Sequence, residues 1–503
     1  MSALINTNNL NVKELLVVVL SLTAVLTLSH LFYNGFLHPL RDFPGPISHS
    51  MAVLPRAVMQ FRGRLPLHVA DLHRRYGTVV RIAPNELTFS SPQAWRDIYG
   101  YKPGQEEFPK YRGFYKIFAH IPTTIVNADT FEHGRLRRHL APAFGDRSMR
   151  AQEPIVASYV DLLILRLKEA VQKDSYQNML EWYTWATFDI IGDLSFGVEG
   201  GFGCLTNISY HPWVKLIKTT IVQNGRILAL IELGFRKPLA WLHQLAGKVF
   251  AEYQHRLIVK EKVLQRMNGA KRPDFLDNLI RNKELLNLDA GRLATNASVL
   301  VVAGSETTAT LLCGVTYFLT TNIDILQKVQ HEVRSSFKGN EEITLTSVGN
   351  LHFMLACLNE ALRRYPPVAT GAPRVTHKDA VIDGRLVPKG TIVSVFQYAV
   401  NHDERYWKEP NKFLPERWMG DPTYESDQLD AMQSFSVGPR NCIGRNLAYA
   451  EMRLILAKLI YNFDLTLADE SHHWISAQRV WSTWDKPPLR IHLHPLDSIN
   501  SAD

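Results

Sequence analysis

FSVGPRNCIG, Phe435 to Gly444, sets Cys442 at the end of a loop built from Gly438, Pro439 and Gly444, with Arg440 two residues before it. A cysteine so placed is a buried hydrophobe, a nucleophile or a metal ligand. No histidine lies nearby in FSVGPRNCIGRNLAYAEMRL to activate it as a nucleophile. A helix is expected from about Gly444, and its N-terminal amides and dipole favour negative charge, so Cys442 reads as a thiolate.

The surrounding chain is long, 503 residues, with 46% hydrophobic and 21% charged residues, a globular composition. Its net charge of +8 and pI near 9.1 suit acidic protein partners, anionic cofactors or a membrane surface. Nucleic acid is not expected, since there is no run of five Lys or Arg and no zinc-finger spacing. The four cysteines, Cys204, Cys313, Cys357 and Cys442, lack the close spacing of a zinc site and fit a reducing compartment.

Leu15 to Tyr33, LLVVVLSLTAVLTLSHLFY, carries no Asp, Glu, Lys or Arg and is long enough to cross a bilayer as a helix. A cleaved signal would want a basic start and a small-residue cleavage site, whereas Lys13 is offset by Glu14 and bulky residues follow. Arg41, Arg56, Arg62 and Arg64 come after the segment, which leaves the body in the cytosol. Residues 1–34 are therefore read as a membrane anchor, and 35–47, with Pro39, Pro44 and Pro46, as a stiff hinge. Residues 48–503 form one body, mainly α with a smaller β region: TVVRIAPNELTFS and DAVIDGRLVPKGTIVSV read as short strands among helical segments.

Between Arg292 and Asp324 the only charged residue is Glu306. A second membrane span is one reading, but Asn296, Ser298, Gly304, Ser305, Thr307 and Thr308 make the stretch too polar for a lipid face, so a central helix is expected. Gly304 and Thr307 share one helix face, where glycine lets a ligand approach and the hydroxyl both donates and accepts. Farther on, Glu360 and Arg363 in LNEALRRYPPV, with Arg417 in FLPERW, are expected to form a buried ionic knot.

A lone thiolate in a protected loop suits a metal held mainly by another group, and haem iron is the leading case. Four segments in order, AGSETT, EALR, PERW and FSVGPRNCIG, resemble the cytochrome P450 superfamily, the last matching F-x-x-G-x-R-x-C-x-G at every fixed position. The resemblance covers almost the whole chain. Details such as FLHPLRDFPGP are most similar to membrane-anchored filamentous-fungal members of secondary metabolism.

The resemblance implies the P450 fold behind one transmembrane helix, and a haem b cofactor with Cys442 as its axial thiolate. Arg440 and Arg374 would bind propionates, and the family's W-x-x-x-R motif falls on HGRLR, where His133 replaces Trp and Arg137 keeps the arginine. Phe435, Gly438 and Gly304 would shape the haem site; Thr307 and Glu306 would form the acid and alcohol pair that delivers protons during O2 activation. Electrons would come from NADPH through a membrane-bound cytochrome P450 reductase, with cytochrome b5 a second candidate, because no flavin or dinucleotide domain fits in the chain. Arg445, Arg453 and the Arg135 to Arg138 cluster would form its docking face, at the cytosolic side of the endoplasmic reticulum.

The expected substrate is a hydrophobic small molecule, a polyketide, terpenoid or alkaloid, bordered by Tyr101 to Ile121, the helix face before Gly304, Val368 to Ala372, and Val480 with Trp481. Two other functions remain open at this point: a haem-thiolate isomerase or dehydratase that needs no outside electrons, and a non-catalytic haem sensor.

Overall fold

The structure, a computed structural model, describes residues 12–116, 123–197, 201–245, 251–268 and 274–496. Helix α1 (Val12–Phe32) has no buried residue, and its helical path runs through one wider turn to Leu37, past the expected end at residue 34. Its most apolar 18-residue window has a mean hydropathy of 2.3, and the 26 residues from Val12 to Leu37 at 1.5 Å each reach about 39 Å, more than the roughly 30 Å of bilayer hydrocarbon.

The proline-rich connector lies against the body instead of standing free. The amide of Arg81 donates to the Pro44 carbonyl at 2.7 Å, and the Arg81 guanidinium donates to Asn34 O at 2.9 Å. Gly45 is required here, since a Cβ would sit 2.5 Å from the Arg81 carbonyl oxygen. One of the arginines expected to flank the anchor is not available to the membrane: Arg56 is buried and ion-paired with Glu86 and Glu232, while Arg62 and Arg64 are exposed.

The connector leads into strands β1 (Val79–Ala83) and β2 (Glu86–Phe89), joined by the expected Pro-Asn turn. A four-stranded sheet is completed by β3 (Arg374–Val375) and β4 (Ile392–Val395) in the order β1-β2-β4-β3, with β2 and β4 parallel. Alternating Val and Leu side chains bury one face of this sheet against Trp95, Tyr99 and Trp407.

About 61% of the chain is helical. The helices that position the site are α2 (Thr130–Leu140), α3 (Met179–Phe196), α4 (Pro212–Leu230), α5 (Ala290–Thr321), α6 (His352–Arg364) and α7 (Arg445–Asn462). Asp289 starts α5 by accepting the Arg292 amide at 2.7 Å, and Asn322 ends it by donating to the Phe318 carbonyl at 2.8 Å. Two-thirds of its most apolar window is buried in protein, packed against α3, α6 and α7, so α5 is the central helix and not a second span.

Candidate active site

The loop before α7 closes on itself: the Cys442 amide donates to the Phe435 carbonyl at 2.8 Å. Gly438 holds φ +76°, and a Cβ there would lie 1.9 Å from the Tyr99 carbonyl oxygen. Its glycine is therefore demanded by the turn and by packing on the Tyr99 backbone. Gly444 has open space around it, and the Phe435 ring packs on Tyr449 at 5.3 Å between centroids.

Of the four cysteines, Cys442 alone is exposed. Its sulfur is open on one side and crowded by protein on the other. That crowding pushes the thiol up from its ordinary value, against the pull of the Gly444 amide, Arg137 and Arg445. The helix end thus favours the thiolate as expected, but does not by itself secure it.

Helix α5 reaches this loop through α7. Thr308 lies against the carboxyl of Glu451, and the six steps along α7 from Arg445 to Glu451 span about 9 Å. Ala303 is exposed and Gly304 and Thr307 half-buried on an otherwise buried helix, so α5 has an open face at this level. The Thr307 hydroxyl donates to the Ala303 carbonyl at 2.6 Å. At Gly304 a Cβ would fall 2.6 Å from Ile191 Cδ1, so the glycine also serves the packing of α5 on α3.

Glu306 is paired, but not with Thr307. Lys486, 5% exposed, donates to Glu306 Oε1 at 2.5 Å, to Thr310 Oγ1 at 2.9 Å and to the Trp484 carbonyl at 3.0 Å. A buried carboxylate needs such a partner, and nothing in WDKPPLR marked Lys486 as the one. Glu306 and Lys486 border a cavity of about 260 Å³ between α3, α4 and the C-terminal segment.

The expected propionate ligands do converge. His133 and Arg137 stand one turn apart on α2, and Arg440, Arg374 and Arg137 act with Lys110 and Glu107 as electrostatic neighbours. Arg137 donates to the Asn441 carbonyl at 2.7 Å, beside Cys442. His133 is held neutral, its pKa lowered to about 4 by burial and by Arg440, Lys110 and Arg137. Arg440 is already engaged: its Nε donates to both Glu107 oxygens at 2.8 and 3.0 Å, and Nη1 to the Ala128 carbonyl at 2.9 Å. Glu107 and Lys110 were not legible as partners; only their closeness in EEFPKY hinted at a charged turn.

Three of the expected pocket segments meet around a cavity of about 110 Å³ bordered by Phe114, Thr370, Gly371 and Trp481. Gly304 does not border it, Ile121 lies outside the described residues, and Asn224 and Leu228 of α4 complete the wall unforeseen.

Cys442 thus stands on a glycine loop at the head of α7, which packs on the long central helix α5, with a cationic cluster beside the loop. The cytochrome P450 family matches residues 46–492. The chain is 46% identical to cytochrome P450 monooxygenase tpeC of Talaromyces stipitatus, over 93% of this chain and 92% of that one. It is 42% identical to averantin hydroxylase of Dothistroma septosporum (93% and 89% covered) and 40% to trichothecene C-15 hydroxylase of Fusarium sporotrichioides (92% and 94%). The chain belongs to the cytochrome P450 family and is a monooxygenase. The family implies haem iron, a cysteine thiolate and O2. Residues here fit that group: Cys442 offers an open sulfur, and buried Arg374 keeps an Nε with no hydrogen-bond partner.

Proposed function

We propose that this enzyme inserts one oxygen atom from O2 into a hydrophobic small molecule of fungal secondary metabolism, with Cys442 as the axial thiolate of haem b. The observation that carries the reading is the exposed Cys442, whose backbone amide is held by the Phe435 carbonyl at the head of α7, which packs against α5. Haem, when bound, supplies the iron that activates O2 and leaves one of its atoms in the substrate.

The chain's own residues do the rest. Arg440, Arg374, Arg137 and His133 orient the haem through its carboxylates or the loop beside them, while Phe435 and Gly438 shape that loop. The Thr307 hydroxyl, bonded to the Ala303 carbonyl, can turn from it to donate a proton at the reacting centre. Glu306 resupplies that proton from the cavity it borders with Lys486. The mostly apolar wall of Phe114, Leu228 and Trp481 supports an apolar substrate, and the hydroxylases among the relatives support hydroxylation as the outcome.

Electrons come from an NADPH-dependent reductase, or from cytochrome b5 in a supporting role, docked where Arg150, Arg445 and Arg453 border a surface cleft. Arg135 is less available, being paired with Glu132. Residues 1–34 anchor the enzyme in the endoplasmic reticulum, 35–47 form the hinge and 48–503 the cytosolic catalytic domain. Exposed Phe36, Leu37, Ile47 and Leu54 beside the anchor support a further contact with lipid.

The test is turnover of the full chain with reductase, NADPH and isotopically labelled O2 against extracts of fungal pathway intermediates. A product carrying one labelled oxygen is expected. Turnover that needs neither NADPH nor reductase and adds no oxygen would overturn the reading.

A further inference from the structure

We propose that Lys110 joins Arg374 in holding a haem carboxylate, and that Glu107 is a built-in counter-ion that orients Arg440 for the other. This rests on the haem-thiolate reading above, and concerns two residues outside the segments that carried the resemblance.

Lys110 and Arg374 oppose each other across an isolated antiparallel bridge. It is closed by the Val375 amide on Pro109 O at 2.8 Å and the Tyr111 amide on Pro373 O at 3.1 Å. Directly opposed residues send their side chains to the same face, and like charges there repel. Arg374 is only 5% exposed, and its Nε has no partner. Lys110 donates to the Val126 carbonyl, a neutral acceptor. A cross-strand pair of cations this poorly compensated fits an anion between them.

Arg440 is compensated, and by design of the loop. Glu107 takes Nε and Nη2, and is itself fixed by the Thr130 hydroxyl at 2.6 Å. A guanidinium has five N–H groups, so this side-on grip, with Ala128 on Nη1, leaves N–H groups for a second carboxylate. Among these side chains Lys110, Arg374 and Arg440 face the single carboxylate of Glu107; two haem carboxylates would bring the charges level. His133 is neutral, Arg137 is committed to Asn441, and Tyr115 lies under Lys110 with its ring 5.0 Å away. Exposed Arg112 and Asp129, with half-buried Lys116, border the surrounding cavity. The imbalance is felt at Lys110, whose pKa falls to about 7 through burial and then through Arg440 and Arg374.

Haem transfer from the full-length, detergent-solubilised enzyme to excess apomyoglobin measures retention without catalysis. Lys110→Met is expected to lose haem about tenfold faster, and Lys110→Arg to stay within about threefold of the parent. Glu107→Gln is expected to lose haem faster too, although it removes a negative charge near the carboxylates. Loaded instead with iron protoporphyrin IX dimethyl ester, which has no carboxylates, parent and Lys110→Met should be alike. Equal haem loss by parent and Lys110→Met, or an undiminished difference with the ester, would overturn the role of Lys110. Slower loss from Glu107→Gln would overturn that of Glu107. The haem-thiolate reading fails on a different measurement, a parent without the thiolate-type Soret band, so its failure is distinguishable from that of the carboxylate contacts, which are compared between proteins that all keep Cys442.

Discussion

The Glu360 carboxylate is gripped by the Arg363 guanidinium at 2.7 Å, three residues along α6, with both side chains fully buried. Arg417 adds a contact to Glu360 at 3.2 Å and is itself paired with Asp427, and the Trp418 indole donates to Glu360 at 2.9 Å. Removing one charge strands the others out of water. Glu360→Gln or Arg363→Ala should therefore cost about 3 to 5 kcal/mol of stability, read from urea unfolding. A loss under about 1 kcal/mol would place the knot in solvent.

Thr307→Ala should leave haem content unchanged while lowering product formed per NADPH consumed, with the difference appearing as peroxide. Thr307→Ser, which keeps the hydroxyl, should recover most of the coupling. Unchanged coupling in the alanine variant would remove Thr307 from proton delivery.

Lys486 and Glu306 should behave as one unit. Lys486→Met leaves a nearly buried carboxylate without its cation and is expected to cost about 3 kcal/mol. The double variant with Glu306→Gln should cost much less than the sum of the single changes. Additive losses would contradict the pairing.

Glu451 predicts a pH dependence opposite to that of an ordinary paired carboxylate. Burial raises its pKa to about 8, against a smaller opposing pull from the Thr308 hydroxyl, and no cation among the described residues pairs with it. In the unfolded chain a glutamate ionises near 4.3, so between about pH 4.3 and 8 the folded state binds the extra proton and stability falls as pH rises. Relative to Glu451→Gln, the parent should lose up to about 1.4 kcal/mol per pH unit across that window and nothing more above it. A flat difference would show that Glu451 is ionised in the fold.

What could be read in the sequence was what lies close together along it. The Cys442 loop, the Glu360 and Arg363 turn and the polar notch around Thr307 are each local, and the P450 reading followed from their order. Their partners are far away in the chain: Glu107 meets Arg440 across 333 positions, and Lys486 meets Glu306 across 180. No spacing rule reaches that far, because such pairs are created only when the sheet and α5 bring the segments together. Gly304 and Gly438 were read toward a ligand from local sequence alone, and their distant neighbours, Ile191 and the Tyr99 carbonyl, add a packing reason for each glycine that no local pattern carries.

The central claim is that Cys442 ligates the haem iron as a thiolate. The direct measurement is the carbon monoxide difference spectrum of the dithionite-reduced full-length enzyme beside Cys442→His. The parent should give the thiolate-type Soret band, and the variant a band of the imidazole type with haem retained. A parent spectrum without the thiolate band, or a variant that keeps it, would contradict the account.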